Sequence, residues 1–102
     1  MTCHFKDFIL VTSYFPNAGI DGAKRLDYRV KEWDPDFRHF LKEELEVGSG
    51  KPVILCGDLN VAHQQIDTFK KAKIKSTPSV IRTLSESFAP LLSNGFVDTF
   101  RQ

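Results

Sequence analysis

With 102 residues, of which 41% are hydrophobic, the chain is long enough for one globular domain at most and too apolar to be wholly disordered. Its 14 lysines and arginines nearly balance its 13 aspartates and glutamates. The resulting net charge of +1 gives no reason to expect that the chain binds a polyanion. No apolar run approaches the roughly 20 residues that span a bilayer, and the N-terminus lacks the apolar stretch of a signal peptide, so we expect no membrane association.

The two cysteines indicate a reducing environment. Cys3 and Cys56 permit one disulfide at most. Cys56 lies inside an apolar run, where a free thiol behaves as a small hydrophobic side chain. We therefore expect an intracellular protein.

The first predicted element is a strand over residues 8–12 (FILVT), which a turn cluster at residues 16–19 (PNAG) must end. Tyr14 and Asn17 flank the proline of this cluster, which fixes its own φ angle and stiffens the segment. The strand therefore ends in two polar side chains. An alternative interpretation of this segment alone is that Tyr14 packs in the core and that Asn17 is a simple turn residue.

Residues 26–45 carry the period of an amphipathic helix, with charged residues on the face opposite the apolar one. The apolar positions are Leu26, Val30, Trp33, Phe37, Leu41 and Leu45. This pattern predicts a helix packed on a sheet. Pro35 interrupts the pattern, and an interior proline costs about 3 kcal/mol. With Asp34 as an N-cap, the segment forms either two successive helices or one kinked helix.

A second predicted strand over residues 53–56 (VILC) is apolar throughout, and Gly57 after it lets the backbone turn sharply. We therefore expect this strand to be buried. Asp58 and Asn60 follow at alternating positions, so in extended conformation both side chains point the same way. A carboxylate beside an amide at the end of a strand can bind a proton, a metal ion or a phosphate edge.

Residues 63–75 show weak periodicity and contain the concentrated positive charge of the chain. The lysines of this segment are Lys70, Lys71, Lys73 and Lys75. Such a run is ordinarily a solvated loop, but beside a phosphate-binding site it would attract and hold a polyanion.

The last third of the chain contains one more predicted helix. Thr77 and Pro78 are typical of a helix start, with the threonine as N-cap, and Pro90 should bend or shorten the helix that follows. Residues 96–100 (FVDTF) then predict another extended element.

The order of these elements predicts an α/β fold in which helices cover a sheet. Strands joined by a covering helix are often neighbours. If the first two strands are neighbours here, Tyr14 and Asn17 meet Asp58 and Asn60 at one edge of the sheet.

Four segments resemble, in the right order, the exonuclease III class of apurinic/apyrimidinic (AP) endonucleases, within the endonuclease/exonuclease/phosphatase superfamily. They are residues 14–19 (YFPNAG), 25–29 (RLDYR), 57–67 (GDLNVAHQQID) and 95–101 (GFVDTFR). A Gly-Asp-x-Asn motif alone is shared by the wider superfamily of Mg-dependent phosphodiesterases and phosphatases. Its combination with the Tyr-x-Pro-Asn-Ala-Gly and Ala-His-x-x-Ile-Asp motifs is more specific and indicates the DNA-repair branch.

The resemblance implies a two-sheet α/β sandwich, of which residues 1–102 are the central portion of a single domain. It implies a Mg²⁺-dependent enzyme, with Mn²⁺ as an alternative ion, that acts in base excision repair. Its reaction would be hydrolysis of the phosphodiester 5′ to an abasic site in double-stranded DNA. The expected compartment is the nucleus, with the mitochondrion as the alternative.

The family also implies roles for individual residues. The aspartate that matches Asp58 orients or deprotonates the attacking water, and the asparagine that matches Asn60 helps to hold the site and the phosphate. Both are candidate metal ligands. The residues that match Tyr14 and Asn17 contact the scissile phosphate, where phenol and amide donors can neutralise developing charge. The expected contacts to the DNA backbone, which would weaken with salt, are Arg25, Lys70, Lys71 and Lys73.

The chain departs from the family's pattern at both ends. The acidic metal ligand that precedes this region in the family, and the Ser-Asp-His segment that follows it, have no counterpart in these residues. An incomplete metal site and a sandwich lacking half its layers predict little or no incision by residues 1–102 alone. The alternatives are a non-catalytic nucleic-acid-binding fragment and another superfamily enzyme that acts on a phosphorylated lipid or nucleotide.

Overall fold

A computed structural model describes residues 1–18, 24–68 and 78–102. Its strands are β1 (Thr2–His4), β2 (Ile9–Tyr14) and β3 (Val53–Asp58), and its α-helices are α1 (Lys24–Tyr28), α2 (Asp34–His39) and α3 (Pro78–Ser93). Wider, π-helical turns span Arg29–Trp33 and Phe40–Val47, and a short 3₁₀ turn spans Gln65–Asp67. The predicted mixture of helices and sheet is confirmed.

The three strands form one sheet in the order β1, β2, β3. β1 runs antiparallel to β2, whereas β2 and β3 are parallel, with Ile9 opposite Val53 and Tyr14 opposite Asp58. The two strands predicted from apolar runs are therefore neighbours, as their connection through a helical segment favours. β1 was not predicted, because three residues are too few to show an alternating pattern.

Helical backbone continues through Pro35, which lies in the first turn of α2. The N–H of Asp34 donates to the carbonyl of Arg29, five positions earlier, and this wider turn is the conformation that precedes the proline. A proline ring clashes with the carbonyl four positions before it in a regular α-helix, so a widened turn is a physical means of accommodating it. Asp34 has helical φ and ψ angles (−62° and −44°), so its predicted role as an N-cap is wrong.

The core lies between the helices and one face of the sheet. Ile9 and Leu41 are fully buried, and Val11, Leu45 and Leu91 join them. Complete burial of an aliphatic side chain of this size contributes about 1.5–3 kcal/mol. The apolar stripe of the predicted helix thus packs on β2, where the alternation of the strand places Ile9 and Val11 on one face.

The opposite face of the sheet has no helix over it within the described part of the chain. Along β3, half-buried Val53 and Leu55 alternate with exposed Ile54 and Cys56, and Ile54 is 48% exposed. The prediction that this strand is buried is therefore wrong for one of its faces, because the helices cover only the other.

The C-terminal region differs from the prediction in two respects. Pro90 does not shorten α3, which continues to Ser93. Residues 96–100 form no strand; instead the chain turns, and the N–H of Arg101 donates to the carbonyl of Asp98 at 3.1 Å. Extended backbone needs a partner strand for its hydrogen bonds, and none lies beside this segment in the described residues.

Several predictions concern residues outside the described ranges. These residues are Gly19 of the turn cluster, Lys70, Lys71, Lys73 and Lys75 of the basic run, and Thr77 as an N-cap. Of the helices that the structure describes, none is long and apolar enough to cross a membrane.

Candidate active site

Tyr14 and Asp58 lie side by side where β2 and β3 end. They are register partners in the parallel ladder, so their side chains project from the same, uncovered face of the sheet. Tyr14 is 64% exposed, which contradicts its alternative interpretation as core filler. The N–H of Phe15 donates to the carbonyl of Asp58 at 2.8 Å and extends the ladder by one bond. A phenol and a carboxylate thus flank one surface at the carboxyl ends of two parallel strands.

The turn into Asp58 requires glycine. Gly57 has φ +124°, a backbone conformation that residues other than glycine rarely adopt. A Cβ atom at this position would lie 2.9 Å from the backbone nitrogen of Ser13 and closer still to its carbonyl oxygen. Gly57 therefore lets β3 approach β2 closely just before the carboxylate.

Asn60 connects the two strand ends. Its backbone N–H donates to Oδ1 of Asp58 at 3.0 Å, and its side-chain Nδ2 donates to the carbonyl of Phe15 at 2.8 Å. Asn60 has φ +46°, so the expected extended conformation is wrong; asparagine is among the residues that tolerate this left-handed region. With its nitrogen engaged by Phe15, the side chain retains Oδ1 as an acceptor.

Two further candidates lie in the described residues. Asn17 follows Pro16 in the segment after β2 and is half-buried. Arg25 lies on α1 with an exposed side chain. The structure thus brings Tyr14, Asp58 and Asn60 together, with Asn17 in the adjoining segment, and leaves Arg25 on the helix surface. The candidates Lys70, Lys71 and Lys73 lie outside the described residues.

A cleft of about 320 Å³ opens beside Asp58. Its polar lining includes Asn60, His63, Asp67, Asp98 and Arg101. Arg101 pairs with Asp98 at 3.2 Å and also with Asp67. The side-chain hydrogen bond from Arg101, together with the backbone N–H of Gln64, holds the pKa of Asp67 below its ordinary value. The resemblance includes Asp67 and Arg101 within its motifs, but the sequence assigned them no role.

Arg29 is the site-supporting residue that sequence analysis missed. The predicted helix placed its charged residues on the solvent face, yet Arg29 is 0% exposed and its Nε lies 2.7 Å from Oδ1 of Asp34. The same guanidinium donates to the carbonyls of Pro16 and Leu59, both at 2.9 Å. A signal existed in the sequence, because position 29 is three after Leu26 and four before Trp33 and so shares their apolar face.

The described residues do not make up a complete metal site. Among residues 1–18, 24–68 and 78–102, no three His, Cys, Asp or Glu side chains come together in a way that could hold a metal ion. Asp58 and Asn60 offer oxygen atoms of the kind that Mg²⁺ accepts, but they are only two residues. The other positions around a Mg²⁺ ion at this edge would be filled by water or by other parts of the protein.

Comparison with known proteins identifies relatives along the whole sequence, although no protein-family model matches. The chain is 42% identical over 101 residues to a DNA-(apurinic or apyrimidinic site) endonuclease of Dictyostelium discoideum. It is 46% identical over 102 residues to DNA repair nuclease APEX1 of Danio rerio, and 39% identical over 101 residues to an exodeoxyribonuclease of Bacillus subtilis.

These alignments cover 99% or 100% of the chain but only 27%, 31% and 38% of the three relatives, in the same order. The chain therefore spans about a third of the length of the proteins it matches. The resemblance seen in its motifs is confirmed, because the 102 residues are similar along their length to a segment of proteins named as an AP-site endonuclease, a DNA repair nuclease and an exodeoxyribonuclease.

Proposed function

We propose that the gene product containing this chain is a base-excision-repair endonuclease that hydrolyses the phosphodiester 5′ to an abasic site in double-stranded DNA. The observation that carries the proposal is the pairing of Tyr14 with Asp58 at the ends of two parallel strands, joined by Asn60. Relatives named for AP-site cleavage and DNA repair support it.

The chemistry follows from the groups at this edge. Asp58 accepts a proton from water as the water oxygen bonds to phosphorus, which is the role of a general base. Its Oδ1 already accepts the N–H of Asn60, so we assign the proton transfer from water to Oδ2. Tyr14 and Asn17 donate hydrogen bonds to the phosphate oxygens and stabilise the charge that develops on them. Hydrolysis ends with cleavage of the phosphorus–O3′ bond, and O3′ takes up a proton from solvent as it leaves as a hydroxyl.

The DNA backbone would be held by cationic side chains around this edge. Arg25 on α1 is exposed and available for such a contact. The other proposed contacts are Lys70, Lys71 and Lys73. Their contribution is independent of base sequence and decreases as salt rises.

The fold we propose for the complete domain is a two-sheet sandwich, with residues 1–102 as its central portion. The uncovered face of the sheet supports this, because Ile54 and Cys56 project from it into solvent. A second sheet supplied by the rest of the protein would bury that face. DNA repair places the protein inside the cell, and we propose the nucleus or the mitochondrion as its compartment.

We also propose that the reaction requires Mg²⁺, for which Mn²⁺ is an alternative. Asp58 and Asn60 would contribute to the site, and its other ligands would come from parts of the protein beyond those described. The measurement is incision with and without EDTA, followed by restoration with each ion. Full activity in EDTA would contradict the proposal.

The central test is Asp58→Asn in the full-length gene product, assayed for incision of duplex DNA carrying a single abasic site. Loss of the general base should lower kcat by about 10²–10⁴-fold. Asp36→Asn, which changes an exposed carboxylate on α2, is the matched control and should leave kcat unchanged. Equal incision by both variants would overturn the assignment of Asp58. DNA binding without incision in the wild type would favour the non-catalytic alternative.

A further inference from the structure

We propose that Arg29 is a positioning residue that holds the segments after β2 and β3 together, so that Tyr14, Asn17, Asp58 and Asn60 face one substrate. This inference rests on the proposed function and adds to it a residue that contacts neither the phosphate nor the water.

The first step is the choice of acceptors. Arg29 donates to the carbonyl of Pro16, directly before Asn17, and to the carbonyl of Leu59, between Asp58 and Asn60. A longer contact of 3.4 Å reaches the carbonyl of Asn60 itself. Each bond therefore fixes a peptide group adjacent to a candidate site residue.

The second step is the geometry of the donor. A guanidinium presents several N–H groups in a rigid planar fork, so one side chain can bind acceptors from two segments at once. A lysine ammonium is a compact point charge on a flexible stem and cannot reproduce this arrangement. The distance between the two strand-end segments is thus set by the dimensions of a single guanidinium.

The third step concerns the contacts that hold the Arg29 side chain in place. Its Nε lies 2.7 Å from Oδ1 of Asp34, and the other oxygen of Asp34 accepts a hydrogen bond from Ser87 of α3 at 2.6 Å. The ring of Phe15 lies below the guanidinium, 4.9 Å from centroid to Cζ. A buried charge held by a counter-ion, a hydrogen-bonded helix and an aromatic face has little freedom to reorient.

The test compares Arg29→Lys with Arg82→Lys in the full-length gene product. Arg82 also forms an ion pair, with Glu86, but its side chain is 81% exposed. Arg29→Lys should lower kcat for abasic duplex about 10- to 100-fold with little change in KM, because misplacement of the reacting groups by about 1 Å can slow turnover about 100-fold. Arg82→Lys should leave both constants unchanged.

A double variant separates positioning from general destabilisation. If Arg29 acts through Asn60, the losses caused by Arg29→Lys and Asn60→Ala should be much less than multiplicative. Multiplicative losses, or an Arg29→Lys variant as active as Arg82→Lys, would overturn the proposal. Rates are compared below the melting temperature of every variant.

Amide hydrogen exchange gives a readout independent of activity. The N–H of Asn60, which donates to Asp58, should exchange faster in Arg29→Lys and in the milder Ser87→Ala, which releases only Asp34. If Arg29→Lys does not fold, unchanged exchange at Asn60 in Ser87→Ala overturns the inference. If the wild type does not incise abasic DNA, the proposed function fails, whereas the exchange experiment still decides whether Arg29 fixes this segment.

Discussion

Gly57 lets the second parallel strand turn at a point where a side chain has no room. Its φ of +124° and the nearby backbone of Ser13 act together, because either alone would disfavour any larger residue. Gly50 also has a positive φ, +68°, but nothing lies within 4 Å of a Cβ placed there. The two glycines therefore separate the effect of backbone conformation from the effect of close packing.

We predict that Gly57→Ala lowers the free energy of unfolding by about 4 kcal/mol, since backbone strain and overpacking each cost about 1–3 kcal/mol. Gly50→Ala should cost about 1–2 kcal/mol, the strain of a left-handed residue alone. Urea unfolding of both variants and the wild type measures the difference. Equal losses would mean that β2 and β3 separate at little cost.

The two prolines in helices are accommodated differently. Pro35 follows a widened turn in which Asp34 donates five positions back, whereas Pro90 lies inside the α-helix α3. The widened turn already provides the space that a proline ring needs. Pro90 sits in regular helix, where it removes a hydrogen bond and crowds the preceding turn.

We therefore predict opposite effects of replacing the two prolines by alanine. Pro90→Ala should raise the free energy of unfolding by about 2 kcal/mol. Removing a proline from a helix interior stabilises the folded state by about 3 kcal/mol, but alanine also gives the unfolded chain more conformational entropy, which offsets part of that gain. Pro35→Ala should lower it by about 0.5–1 kcal/mol, because only the unfolded-chain effect remains. Thermal unfolding of each variant is the measurement, and equal stabilisation by both would contradict the interpretation of the widened turn.

Elements with strong local patterns were predictable from the sequence, and those defined by distant partners were not. The apolar runs predicted β2 and β3, and the helical period predicted the helical segment at residues 24–47 with small errors in where it begins and ends. Residues 96–100 have a strand-like composition, but a strand also needs a neighbour. At the candidate site, the meeting of Tyr14 with Asp58 followed from strand adjacency. Periodicity places position 29 on the apolar face, but it does not predict the acceptors that bind the buried Arg29, which lie up to 31 positions away.

For the molecule as a whole, the main consequence is that the sheet is covered on one side only in the described residues. Tyr14 and Asp58 stand on the uncovered face, next to exposed Ile54 and Cys56. Contiguous apolar surface on a sheet is a site of association unless another layer covers it. The candidate site is therefore on the face that the proposed second sheet would border.

We predict that residues 1–102 expressed alone self-associate through this face. Ile54→Thr should shift the population toward monomer, whereas Val47→Thr should not, although Val47 is 62% exposed at the end of the helical segment. Sedimentation velocity over a range of concentrations measures the effect. Association that is equally sensitive to both substitutions would assign the interface to another surface.

The parallel pairing of β2 with β3 also determines when the candidate site forms during synthesis. The bond from Asn60 to Phe15 joins residues 45 positions apart, so the first strand end is made well before its partner. At translation rates of about 5–20 residues per second, the wait is about 2–9 s. Between its own emergence from the ribosome and the emergence of Asn60, the segment after β2 therefore lacks the side chain that binds it in the folded protein.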